Sequence, residues 1–273
     1  MLKDITFGQF FPGNSILHRL DPRMKLILCI LYIVVIFLAK GVSAYAAVLI
    51  FTIVIVGISG IPIKTLLKSL KPLIFILFFT MLINIFWNTG ETVLVSFWKI
   101  TIYLEGVLRA LAMALRIVLL MAGTSVLLMY TTSPIALTDA LERLLSPLRV
   151  IKLPVHEFAM MMTIALRFIP TLLEETGKII DAQKARGADF ESGNLIARAK
   201  ALVPVLIPLF ISSFRRAEEL ATAMECRCYR GGDGRTRMTV LHLAGRDIVF
   251  AFIMACLTAG VVLLNIYFPL YMI

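Results

Sequence analysis

Two arginines in this chain stand at helix ends that repeat one another. Asp181-Ala182-Gln183-Lys184-Ala185-Arg186-Gly187 and Thr222-Ala223-Met224-Glu225-Cys226-Arg227-Cys228 each hold one arginine between two small residues, with an alanine four positions before it. The arginines are 41 residues apart. A guanidinium is planar, permanently charged and able to grip a carboxylate through two parallel hydrogen bonds. Side chains too small to shade it leave it free to enter a pocket on another protein. An ordinary terminus also explains one such residue, because a cation there opposes the helix dipole and contributes about 0.3–1 kcal/mol. A cap, however, does not need small neighbours on both sides. A docking arginine does, and truncating a desolvated one costs about 2–5 kcal/mol. The repeat favours two docking tips, Ala185-Arg186-Gly187 and Cys226-Arg227-Cys228, and hence two sockets.

Other chemistries find little footing. Cys226-x-Cys228 lacks a second cysteine pair or a nearby histidine, Cys29 and Cys256 lie in apolar runs, and His18, His156 and His242 are far apart, so neither metal nor cofactor is expected. Gly231-Gly232-Asp233-Gly234 reads as a flexible turn, since no phosphate-loop pattern occurs anywhere. Glu91 and Glu105 are the only acids between Asp21 and Asp139, and neither has a histidine nearby. An intramembrane enzyme would need a nucleophile or paired carboxylates, so no catalytic residue is assigned. The net charge of +10 points to an anionic inner leaflet rather than nucleic acid. Basic residues in the long charged block are interleaved with 13 acids, and no aromatic binding surface accompanies them.

The elements that must position the tips follow from hydropathy. Of 273 residues 60% are hydrophobic, with mean hydropathy +0.92, beyond what a soluble domain carries. Residues 42–61, 72–87, 110–130 and 248–270 are apolar enough to cross a bilayer. Residues 26–39 add a fifth span, forming a tight hairpin with the next at Lys40-Gly41. The first 23 residues mix Lys3, Asp4, Arg19 and Asp21 with a Phe-Phe-Pro-Gly turn, and no cleavable signal peptide is read there. With a cytoplasmic N-terminus, 23 of the 27 Lys and Arg face inward, leaving Lys40 and Lys99 in outside loops and Arg109 and Arg116 in or beside the fourth span. That is the positive-inside bias, and it puts residues 271–273 outside.

The expected fold is an all-α integral membrane protein. It has five transmembrane helices and a three-helix cytoplasmic coupling region between the fourth and fifth. The segments are 1–130, 131–247 and 248–273. In the middle segment Thr132-Ser133-Pro134 starts a first helix with a hydroxyl cap and proline at the first position, and Pro147 closes it. A second helix runs from about Pro154 to Arg186, with Pro170 expected to kink it and Gly187 to end it. A third runs from about Leu195 to Cys228, bent by Pro204 and Pro208. Both long helices have apolar first halves, too short to span, and polar second halves. They read as lever arms with roots at the membrane interface and tips in water. In the fourth span, Arg116 and Arg109 share a face seven residues apart, with Glu105 a candidate partner for Arg109. An ionisable group there is expensive, and stapling or coupling the bundle is the role assigned to both.

Several motifs, taken together, resemble the transmembrane T component of energy-coupling factor transporters, including the cobalt-type relatives. They are Leu20-Asp21-Pro22-Arg23-Met24-Lys25, Ala114-Leu115-Arg116, Thr131-Thr132-Ser133-Pro134, Ala140-Leu141-Glu142 and Ala165-Leu166-Arg167-Phe168-Ile169-Pro170. The most specific are Ala182 to Ala188 and Ala223 to Tyr229, and the likeness covers nearly the whole chain. The resemblance implies a non-catalytic subunit of an ATP-binding-cassette importer in a prokaryotic cell membrane. It implies that each tip docks on one of two ATPase subunits. It also implies that the apolar parts of the coupling helices hold a small membrane subunit binding a vitamin or metal ion. Closure of the ATPase pair would then tilt the crossed helices and reorient that subunit. The second tip departs from the pattern, with Cys226 and Cys228 where alanine or glycine is commoner. The alternative is a self-contained permease, for which Asn84, Ser125, Asn265 and the arginines are a sparse polar lining.

Overall fold

The computed structural model describes residues 10–87, 92–97, 100–190, 194–232 and 241–267. Lys3, Asp4, Glu91, Lys99, residues 233–234 of the glycine turn and residues 268–273 lie outside them. Helices carry the fold. α1 (Pro22–Leu38) starts where the Asp21 carboxylate accepts from Arg23 N and proline occupies the first turn. It turns at Lys40-Gly41 into α2 (Val42–Ser59), which Gly60 ends at φ 68°. Residues 62–71, which the expected spans 42–61 and 72–87 leave as a connecting loop on the inner side, are partly helical instead. α3 (Ile63–Leu70) meets α4 (Leu73–Trp87) at a bend of 57°. A short antiparallel hairpin, β1 (Val93–Phe97) and β2 (Ile100–Tyr103), joins α4 to α5. α5 (Leu104–Thr124) continues through a π turn, Ser125–Met129, to make 26 helical residues. α6 (Pro134–Leu144) and a 3-10 turn (Ser146–Ile151) lead to α7 (Val155–Ala185), α8 (Leu195–Cys226) and α9 (Gly245–Tyr267).

Among the described residues three helices are long and apolar enough to cross a bilayer: α2, α5 with its π turn, and α9. The bent α3–α4 pair makes a fourth if it is one span. α1, read above as a further span, is 17 residues long.

The chain forms two compact units. One is built from Gly8–Ala140 and Val240–Ile273, and Leu141–Thr239 belongs to the other. The first unit packs α1 against α5 and α9, α2 against α5 and α9, and α4 against α5. Its core holds Val35, Val48, Ile55, Leu119, Val126, Met254 and Val261 around Tyr32. The Tyr32 hydroxyl donates to the Leu119 carbonyl at 2.9 Å and lies 2.8 Å from the Thr52 hydroxyl, tying three helices. Its ring rests on Gly123, where an added Cβ would come within 2.2 Å of it. The second unit is dominated by α7 and α8, which run through Pro170 and through Pro204 and Pro208 without interruption.

Candidate functional site

The two tips have one backbone geometry. Arg186 caps α7 at φ −88°, ψ 6°, and Arg227 caps α8 at φ −91°, ψ 12°. After Arg186, Gly187 N donates to the Lys184 carbonyl and Ala188 N to the Gln183 carbonyl, both at 3.0 Å. After Arg227, Cys228 N donates to Glu225 at 2.8 Å and Tyr229 N to Met224 at 3.0 Å. Both are Schellman endings, which satisfy carbonyls that the last helical turn leaves unpaired. Such an ending needs a left-handed residue after the cap. Gly187 supplies it at φ 86°; Cys228 supplies it at φ 55° despite its Cβ. Ala185, Arg186, Gly187, Cys226, Arg227 and Cys228 are all exposed.

α7 and α8 run antiparallel. Gln183 near the end of α7 donates to the Pro204 carbonyl near the start of α8. At mid-length Glu175 accepts from Arg216 at 2.8 Å and from the Ser212 hydroxyl. Ser212 chiefly, and then Arg216, hold the Glu175 carboxyl below the usual glutamate range. Beyond this pair Ile164, Phe168, Leu172, Ala217 and Leu220 line an apolar groove of about 400 Å³. Each tip therefore ends beside the first half of the other helix. The apolar first halves and polar second halves read from the sequence did not carry that direction. At a rise of 1.5 Å per residue, each tip is about 16 Å from the Glu175–Arg216 pair, on opposite sides of it.

The second tip has a brace that the sequence reading missed. Met160 of α7 lines a hollow of about 390 Å³ with Met224, Arg227, Tyr229 and Arg230. Close by in sequence, Gly232 lies against His156, 2.5 Å from where its Cβ would stand. His156 Nδ1 shares a 2.9 Å hydrogen bond with the buried Glu142 carboxylate, and its Nε2 is buried without a partner among the described residues.

Within the other unit, Arg116 donates from Nε to the Tyr45 hydroxyl at 2.8 Å and from Nη2 to the Ala39 carbonyl at 3.3 Å. Its guanidinium lies 5.7 Å from the Tyr45 ring centre and 5.9 Å from that of Phe37. A cation at the carbonyl end of α1 also meets the negative end of its dipole. Arg109 stands half-buried on the same helix, while Glu105 accepts from the Thr92 backbone and hydroxyl. A second polar knot lies just before the apolar run that begins at Leu26. The fully buried Asp247 of α9 accepts from Asp21 N at 2.9 Å and from Ala244 N at 2.7 Å. Lys25 donates to the Thr131 carbonyl at 2.7 Å and to that of His18 at 3.2 Å. Burial pushes its ammonium down to about 8, against the pull of Asp247 and Asp21. Asn265 of α9 donates to the Leu38 carbonyl and accepts from Lys40 N, fastening the α1–α2 turn.

Comparison with known proteins converges on one family. Residues 13–240 match the family model CbiQ, described as cobalt transport protein. The chain is 55% identical to the energy-coupling factor transporter transmembrane protein EcfT of Ruminiclostridium cellulolyticum, over 98% of this chain and all of the relative. It is 52% identical to that of Clostridium kluyveri, over 94% of this chain and 97% of the relative. It is 47% identical to that of Bacillus subtilis, over 94% and 98% respectively. With matches of this length and identity, and with apolar helices suited to crossing a bilayer several times, the chain belongs to the CbiQ family as a transmembrane component of energy-coupling factor transporters.

Proposed function

We propose that the chain is the non-catalytic coupling subunit of its transporter. It passes ATP-driven motion from two ATPase subunits to a small membrane subunit that binds a vitamin or metal ion. Arg186 and Arg227 are the docking plugs, one per ATPase, each carried with its small neighbours on an identical Schellman ending. That shared geometry is the observation that bears most weight. A helix stop needs only one left-handed residue, whereas two exposed arginines in one backbone conformation fit two like sockets. The antiparallel crossing supports separate partners, because the tips stand up to about 33 Å apart along the pair. ATP hydrolysis belongs to the partners, and cargo choice to the small membrane subunit.

In this reading residues 1–130 and 248–273 form the membrane part and 131–247 the coupling region. The N-terminus and coupling region face the cytoplasm and the C-terminus faces outward. Arg116, with Arg109, staples the bundle that the coupling region works against.

Co-purification after co-expression with the ATPase subunits tests the reading. Arg186→Glu and Arg227→Glu each weaken association with one ATPase, and the double variant loses both subunits and uptake with its fold intact. A double variant that retains both ATPases at the native ratio overturns it.

A further inference from the structure

α3 carries a basic row that the rest of the described chain leaves unanswered. Lys64, Lys68 and Lys71 recur at i, i+4 and i+7, so they stack along one helix face. All three are exposed, and among the described residues none forms an ion pair. The adjoining strip is apolar and also open, with Ile63 66% and Leu67 59% exposed. The next strip, Leu66 and Leu70, joins the bundle core. Around its axis α3 thus passes from protein-facing to bare apolar to cationic.

Immediately after Lys71 the chain bends by 57° and becomes α4, which has no charged residue and exposes Ile74, Phe75 and Phe78. A membrane-crossing helix tilts by about 20° from the bilayer normal. If α4 crosses in that way, the bend lays α3 towards the membrane plane, where a helix with apolar and lysine strips side by side is stable.

We propose that α3 is an in-plane helix that binds anionic phospholipid headgroups. Ile63 and Leu67 dip into the acyl boundary, and Lys64, Lys68 and Lys71 hold phosphodiester oxygens. Charge complementarity selects the anionic lipid. The bare apolar strip, continuous with α4, selects lipid over an acidic soluble protein, which would leave Ile63 and Leu67 in water. A lysine near an anionic surface is worth up to about fivefold in binding. An ammonium acts here as a point charge, so arginine should replace it.

The test uses the full chain in mild detergent, titrated with phosphatidylglycerol or phosphatidylcholine and read by native mass spectrometry. It involves neither ATPases nor transport, so its outcome is separate from that of the docking tips. The native chain should retain phosphatidylglycerol more tightly than phosphatidylcholine. The triple variant Lys64→Gln, Lys68→Gln, Lys71→Gln should lose that preference by tenfold or more, at unchanged helix content. The matching triple arginine variant should keep it. Equal phosphatidylglycerol binding by the glutamine variant overturns the proposal, as does a loss that affects both lipids equally. So does shielding of the three lysines from amine labelling by the ATPases in a lipid-free complex.

Discussion

Glu175 Oε2 lies 2.8 Å from Arg216 Nη2, and each residue stands eleven positions before the arginine that ends its own helix. The antiparallel pair is thus pinned at a point equidistant from both tips. Small slips of α7 along α8 would move Arg186 and Arg227 together by equal and opposite amounts. The Arg216 and Glu175 side chains are 38% and 23% exposed respectively, so the bridge itself contributes about 1 kcal/mol or less, and its value is in fixing register. Arg216→Glu should reduce ATPase association and uptake severalfold without unfolding the chain. Glu175→Arg combined with Arg216→Glu should recover most of both. A double variant as impaired as the single one removes the register argument.

The same glutamate gives the crossing a pH dependence. Its carboxyl is held below the usual 4.5, first by the Ser212 hydroxyl and then by Arg216. A depressed carboxyl contributes stability that is complete above the unfolded value and lost as pH falls through the folded one. Amide protection in the middle of α7 and α8 should therefore decline below about pH 4.5 in the native chain. Glu175→Gln should be lower at neutral pH and flatter across that window. Parallel declines in the two proteins would assign the effect to other groups.

Cys228 sits at φ 55°, in a region that L-residues enter at a cost of about 1–2 kcal/mol. Gly187 does the same work at the first tip without that penalty. Cys228→Gly should raise the stability of the α8 ending by about 1 kcal/mol and keep ATPase association, read by local hydrogen exchange and co-purification. Gly187→Ala should lower it at α7 by a similar amount. A destabilised Cys228→Gly variant would mean that the thiol makes contacts of its own.

What could be read from the sequence was local. Gly187 and the small residues beside both arginines mark helix ends from a few neighbouring positions, as does Asp21-Pro22 at the start of α1. The crossing was not readable in full, because apolar stripes every three or four residues fix which faces of α7 and α8 meet but not their relative direction. Asp247 reaches Asp21 across 226 positions and Asn265 reaches Leu38 across 227, so no local pattern carries either. Tyr32 and Gly123 look like ordinary span residues until the ring is seen on the glycine. The break at Lys71 was hidden because lysines in a short segment read equally as a loop or as an interfacial helix. Residues 93–97 and 100–103 are too short and apolar for periodicity to separate a strand from the end of a span.

Arg116 separates stapling from coupling. It satisfies the Tyr45 hydroxyl and the Ala39 carbonyl at the end of α1. Hydrogen bonds from a charged donor contribute about 1.5–3 kcal/mol each. Arg116→Met should lower the unfolding midpoint in detergent by an amount equivalent to about 2–3 kcal/mol. Arg116→Lys, with a single point of contact, should recover part of it. ATPase association should be unchanged at temperatures where the variant is folded. A stable Arg116→Met chain that binds ATPases but fails to transport would instead give Arg116 a direct part in coupling.

Lys25 predicts an alkaline effect with the same sign of pH slope as that of Glu175, from the opposite cause: its folded-state charge is penalised by burial rather than favoured by partners. Burial lowers its ammonium from 10.5 to about 8, so below pH 8 the folded chain carries a desolvated charge that the unfolded chain keeps in water. Between about 8 and 10.5 the folded state releases its proton first, and the unfolded state binds more protons. Stability should therefore rise with pH across that window, by up to about 1.4 kcal/mol per pH unit. The neutral amine still donates to the Thr131 carbonyl, so the knot that joins the start of α1 to the turn after the π turn survives the change. In detergent, the unfolding midpoint of the native chain should gain on that of Lys25→Met between pH 8 and 10. Equal slopes for the two proteins would place the buried charge elsewhere in the Asp21–Asp247 knot.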